Sequence, residues 1–171
     1  DMSLIDYGIL KEKFSRPDFV LPKRSVVCVQ NASWKTKQWS IDNWKQLLID
    51  LQGYNLNFLF PSGNSEEYER ASEICSISDN ALAMEILPHN TIAYILDRAD
   101  FSICSDTGLA HLSAVTDTRS LTLYGPTETS LIGTMGENQN HLVGKDSDIN
   151  NISVKEVIST LTELKFIEEN N

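Results

Sequence analysis

Short apolar runs and amphipathic stretches alternate along most of the chain. SVVCVQ (25–30) is β-branched and bounded by polar residues, the pattern of a strand buried on both faces. WSIDNWKQLLIDLQG (39–53) places Ile41, Trp44, Leu47, Leu48 and Leu51 on one helical face, with Ser40 as N-cap and Gly53 as terminator. NLNFLF (55–60) reads as a strand, PSGNS as a turn, and EEYERASEICS as a helix whose first acids suit its dipole. ALAMEI (81–86) is a weaker strand, LPHN leads into a helix over TIAYILDRA, and FSICSD (101–106) is again a buried strand. A short helix over 109–115, a strand SLTLYG (120–125), a Gly-rich loop and a closing helix SVKEVISTLTEL complete the pattern. In that last helix Ser153 and Glu156 have the spacing of a capping box, with Val154, Val157, Ile158 and Leu161 turned inward.

Strands alternating with helices of this length predict an α/β fold: a Rossmann-like open parallel sheet with helices on both faces, joined by right-handed crossovers. The domain occupies residues 25–171, and 1–24 is a linker or incoming helix. Ligands of such sheets bind outside the carboxyl ends of the strands. Two segments fall there.

The first is SDTGLAHL (105–112). Free amides at the helix start suit an anion such as a pyrophosphate; Gly108 allows close backbone approach and Thr107 adds a hydroxyl. Asp106 would repel phosphate, so its expected task is accepting hydrogen bonds from sugar hydroxyls, unless Asp106 and Thr107 merely cap the helix. Asp-Thr-Gly also marks aspartic proteases, but those carry it on hairpin-rich folds rather than between amphipathic helices. The second segment is NASWKTKQWS (31–40), where Lys35 and Lys37 are candidate phosphate partners supported by Asn31 or Ser33, against the alternative of a solvated basic loop.

Composition narrows the partners. The chain has 171 residues and a net charge of −10, so clustered basic residues for a nucleic-acid duplex are lacking. No apolar stretch reaches transmembrane length and no signal-peptide layout opens the chain, which predicts a cytoplasmic protein. Cys28, Cys75 and Cys104 read as reduced core thiols. His89, His111 and His141 are too scattered for a local metal motif, so no metal is expected.

The combination KQWSIDNW (37–44), PSGNSEEYERA (61–71), CSDTGLAHLSA (104–114), TLYGPT (122–127) and LIGTMGENQ (131–139), in this order and spacing, resembles glycosyltransferase family 9, in its heptosyltransferase branch. The resemblance covers about residues 26–165. It implies the C-terminal half of a GT-B enzyme, in which this half holds ADP-heptose as donor for transfer to the lipopolysaccharide inner core. No further cofactor is implied. The lipid-linked acceptor and the general base would belong to an N-terminal half, implying work at the inner face of a membrane.

By the family's pattern, Lys37, Thr107, Gly108 and Leu109 contact the diphosphate, Asp106 the sugar and Glu67 the ribose. Backbone at 87–90, with Asn90, reads the adenine, and Ser33 stands where the family has the second of two threonines. His111 is either a hydrogen-bonding support in the site or a core histidine. The chain departs from the family at Ala32–Ser33, where paired threonines are usual, and at Glu128–Thr129, where an Asp-Pro pair is usual. A nucleotide-sugar epimerase, a transferase of another sugar, and a non-catalytic flavodoxin-like nucleotide-binding module remain alternatives.

Overall fold

The computed structural model describes residues 11–127 and 133–168. Six parallel strands form one sheet: β1 (Ser25–Val29), β2 (Asn57–Phe60), β3 (Ala81–Ala83), β4 (Phe101–Ser105), β5 (Ser120–Tyr124) and β6 (Gln139–Val143). Their order is β3-β2-β1-β4-β5-β6, so the chain winds outward one way from β1 and then the other way from β4. The β1/β4 boundary, with Val26 opposite Phe101 and Val29 opposite Cys104, is therefore the topological switch point.

Every residue of β1, β4 and β5 is buried, as an apolar run covered on both faces requires. Alternate side chains feed two cores. Val26, Cys28, Phe58, Phe60, Phe101 and Ile103 pack with α1 (Ile41–Asp50), α2 (Ser65–Cys75) and the last helix, α5 (Val154–Glu163). Val27, Val29, Leu59 and Cys104 pack on the other face, against α3 (His89–Arg98) and α4 (Gly108–Val115).

Local signals place most boundaries. The Ser40 hydroxyl accepts from the Asn43 amide to start α1, and Ser153 and Glu156 form the reciprocal capping box of α5. Gly53 does not end α1. The helix stops at Asp50, a 3-10 turn follows, and the left-handed position falls on Asn55 (φ 52°), a residue that tolerates it. α2 is capped by Asn64, whose side chain accepts from the Glu67 amide.

The larger correction is β6, a strand where only a loop was expected. Its residues QNHLV are half-exposed because it is an edge strand paired only with β5, so the apolar signature of a doubly covered strand is missing. At the opposite edge β3 is only three residues long, not six. Of the opening segment, the described residues 11–24 hold a single 3-10 turn at Lys11–Lys13 rather than a helix. They lie against α3: Lys11 Nζ is 2.5 Å from Asp97 Oδ1, and the Ser15 amide donates to the Asn90 carbonyl.

Candidate functional site

Loops following β1, β2, β3 and β4 converge at the carboxyl ends of the strands and enclose two adjoining cavities. The larger, about 540 Å³, is walled by Asn31–Ser33, Pro61–Gly63, Glu67, 86–89, Ile92 and Thr107–Leu109. The smaller, about 320 Å³, is walled by Ser33, Trp34, Lys37, Asp106, Thr107, Gly108 and His111. Ser33, Thr107 and Gly108 border both.

The post-β1 loop is tied down by hydrogen bonds on both sides. The buried Trp39 donates its indole N–H to the Ile152 carbonyl (2.9 Å). Arg70 bonds Gln30 Oε1 through Nε (2.5 Å) and the Trp39 carbonyl through a guanidinium nitrogen (2.6 Å). Burial lowers the Arg70 pKa, yet arginine stays charged at any ordinary pH, so it serves as a tie between β1, α1 and α2. Gly125 lets the 35–37 turn close on the end of β5, since a Cβ there would lie 2.9 Å from the Ile149 amide and 3.2 Å from the Thr36 carbonyl.

On that scaffold Lys37 Nζ sits 2.7 Å from Asp106 Oδ2, with side chains 21% and 7% exposed. The Thr127 hydroxyl also donates to Asp106. The Trp34 ring covers the ammonium, its centroid 5.5 Å from Nζ. The Asp106 carboxylate is thus neutralised from within the protein, by partners of its own chain. It is not the helix cap. That role falls to Thr107, whose hydroxyl oxygen accepts from the Leu109 amide (3.1 Å).

The Leu109 N–H, expected to face phosphate, is therefore engaged, whereas Gly108, as first residue of α4, has no intrahelical acceptor for its amide. A Cβ added to Gly108 would meet nothing within 4 Å: the space it would take is the cavity itself. His111 is exposed at the wall of the smaller cavity, which removes the core-histidine reading. Lys35 is exposed and borders neither cavity, as a solvated lysine should.

Glu67 lies on the first turn of α2 and lines the larger cavity. Its Oε2 accepts from the Gly63 amide (2.7 Å) and from Asn31 Nδ2 (2.7 Å), leaving Oε1 without a partner among the described residues. Asn31 thus orients the carboxylate and also donates to the Pro61 carbonyl; it does not support the lysines as expected. The apolar end of this cavity is formed by Ile86, Leu87 and Ile92. Asn90 is outside the lining and exposed, and its carbonyl is taken by Ser15. The residues Glu128 and Thr129, and the start of LIGTMGENQ at Leu131 and Ile132, lie outside the described residues.

Trp34, Ser62 and the Asn31–Glu67 contact escaped the sequence reading, since an exposed indole and a serine in a turn carry no periodic signal. Among the described residues no cluster of His, Cys, Asp and Glu could hold a metal, and no helix is long and apolar enough to cross a membrane.

The model of Glycosyltransferase family 9 (heptosyltransferase) matches residues 6–158. The chain belongs to glycosyltransferase family 9. Lipopolysaccharide heptosyltransferase 1 of Pseudomonas aeruginosa is 31% identical over 140 residues, covering 82% of this chain and 39% of that protein. Its Escherichia coli (strain K12) counterpart is 31% identical over 131 residues, covering 75% and 40%. The solved structure of E. coli heptosyltransferase WaaC with ADP matches at a TM-score of 0.81 and 27% identity, over 84% of this chain and 46% of that one. The chain spans about two fifths of the length of the curated relatives it matches.

Proposed function

We propose that this family 9 chain is the donor-binding half of a heptosyltransferase, residues 25–171 forming the nucleotide-sugar domain and 1–24 its linker. It binds ADP-heptose for transfer of the heptosyl group to the lipopolysaccharide inner core. The observation that carries the reading is the graded crevice: an apolar end at Ile86, Leu87 and Ile92, a fixed carboxylate at Glu67, then the Gly108 amide and the Lys37 ammonium. That succession matches base, ribose and diphosphate laid end to end. The likeness to relatives named lipopolysaccharide heptosyltransferase 1 and to a structure solved with ADP supports the same ligand.

As the glycosidic bond breaks, negative charge grows on the departing ADP. The Lys37 ammonium, the Gly108 amide and the Thr107 hydroxyl are placed to stabilise it without reorganising, and His111 offers a hydrogen bond from the same wall. Asp106 faces the smaller cavity, where its carboxylate accepts hydrogen bonds from the donor sugar while keeping Lys37 in place. Ser33 borders both cavities and adds one hydroxyl toward the phosphates. The relatives are more than twice as long as the matched stretch, so the acceptor site and the general base are assigned to their other half. A lipid-linked acceptor makes the whole enzyme a peripheral visitor to the cytoplasmic membrane face.

The test is calorimetric titration of this chain with ADP, UDP and ADP-heptose, followed by a transfer assay. ADP and ADP-heptose should bind, UDP more weakly, and transfer should be undetectable. Absence of ADP binding, or heptosyl transfer by these 171 residues alone, would overturn the reading.

A further inference from the structure

Of the three tryptophans, Trp39 and Trp44 are fully buried, whereas Trp34 is 67% exposed and belongs to neither core. Burial therefore does not account for an indole at this position. Trp34 walls the smaller cavity, and it shares that space with Asp106, Thr107 and His111. The backbone beneath it is set by two hydrogen bonds: the Lys37 amide donates to the Trp34 carbonyl (2.9 Å), and Gln38 Nε2 donates to the Ala32 carbonyl (2.8 Å). The ring is held as well. Lys37 Nζ lies over it at 5.5 Å from the centroid, and that ammonium is anchored on Asp106 at 2.7 Å. Trp34, Lys37 and Asp106 thus form one continuous line of contacts along the cavity wall.

A sugar ring carries hydroxyls around its rim and C–H bonds on its faces. The rim needs hydrogen-bonding groups; a face needs a flat apolar surface, and its slightly positive hydrogens are drawn to the negative face of an aromatic ring. A diphosphate has no such face and gains nothing from an indole. We propose that Trp34 is a specificity-determining residue whose indole takes the C–H face of the sugar carried by the nucleotide, beside the carboxylate of Asp106. The inference rests on the nucleotide-sugar reading above, and adds to it a residue that acts by apolar contact rather than by charge. Preference for the nucleotide sugar over the free nucleotide then depends on an aromatic ring at position 34.

The test titrates the parent chain, Trp34→Ala and Trp34→Phe with ADP and ADP-heptose by calorimetry. Both ligands carry the diphosphate, so the ratio of the two affinities cancels whatever Lys37 gains or loses with its aromatic neighbour. Trp34→Ala should lower the preference for ADP-heptose by about fivefold or more, the scale of one aromatic contact, and Trp34→Phe should keep it within about twofold of the parent. Tm should be unchanged in both, since the residue lies outside the cores. Fluorescence gives a second readout, because Trp39 and Trp44 are shielded and an aqueous quencher such as acrylamide reports on Trp34. Saturating ADP-heptose should protect the parent from quenching more than saturating ADP does. Equal protection by the two ligands, or a Trp34→Ala chain whose preference for ADP-heptose does not fall, would overturn the inference while leaving the nucleotide reading intact. A parent that binds neither ligand would remove both.

Discussion

Replacing Asp106 by Asn removes one negative charge from the proposed diphosphate site while keeping side-chain shape and an acceptor for the Thr127 hydroxyl. The Lys37 ammonium is paired with Asp106 at 2.7 Å, so a diphosphate bound as proposed would share that cation with a carboxylate. With phosphate on the far side of Lys37, at about 6 Å from the carboxylate and an effective dielectric of about 40 in an open crevice, the repulsion is about 1.4 kcal/mol per charge pair. Its removal should tighten ADP about tenfold. Lys37→Ala should weaken ADP by about 1.5–3 kcal/mol, the range for hydrogen bonds to a charged group.

The double variant discriminates two roles for Asp106. If the carboxylate acts by repulsion through space, Asp106→Asn strengthens ADP by the same factor with or without Lys37. If it acts by holding the ammonium in place, it weakens ADP in the parent and has no effect once Lys37 is gone. Calorimetry on all four proteins, repeated between about 0.05 M and about 0.5 M salt, separates the cases because only the long-range term shrinks with screening. Weaker ADP binding by a natively folded Asp106→Asn would refute the repulsion argument. Binding of ADP-heptose should fall in the same variant, since its sugar loses an ionised acceptor.

Gly108→Val should fold normally, since its Cβ meets nothing within 4 Å, yet bind ADP and ADP-heptose at least about tenfold more weakly by filling the crevice; unchanged affinity would remove phosphate from the α4 start. Gly125→Ala should destabilise the fold by about 1–3 kcal/mol in urea denaturation, because the new methyl must displace the Ile149 backbone. His141 contacts Thr134 Oγ1 through Nε2 (2.8 Å) and packs edge-on against Tyr124; desolvation lowers its pKa, opposed by the Thr134 hydrogen bond. The unfolded chain then binds the extra proton first, so this stability is full above the unfolded value of about 6.5 and is lost as pH falls below it. His141→Gln should flatten the Tm-against-pH slope there, and an unchanged slope would exclude the effect. Burial pushes Cys75 and Cys104 up to about 12 and raises Cys28 as well, so iodoacetamide should leave all three thiols unmodified until denaturant is added.

The sequence by itself determined the alternation, because a strand covered on both faces must be continuously apolar and a covering helix must carry a stripe. β1, β4, β5, α1 and α5 were legible for that reason, and Ser40 and Ser153 announced their helices through local capping chemistry. So was the placing of the loops after β1 and β4 at the carboxyl ends of their strands, where the structure brings them together around one cavity. β6 was not legible: an edge strand hides one row of side chains at most, and its pairing with β5 is a long-range backbone event with no local signature. Nor was the pairing of Lys37 with Asp106, 69 positions apart, which exists only because β1 and β4 are neighbours in the sheet. The same holds for Asn31 on Glu67, which needs the β1 and β2 loops side by side. Residue types at strand ends carry the chemistry available to a site; which of them are spent on one another, and which stay free for a ligand, is decided by the strand order.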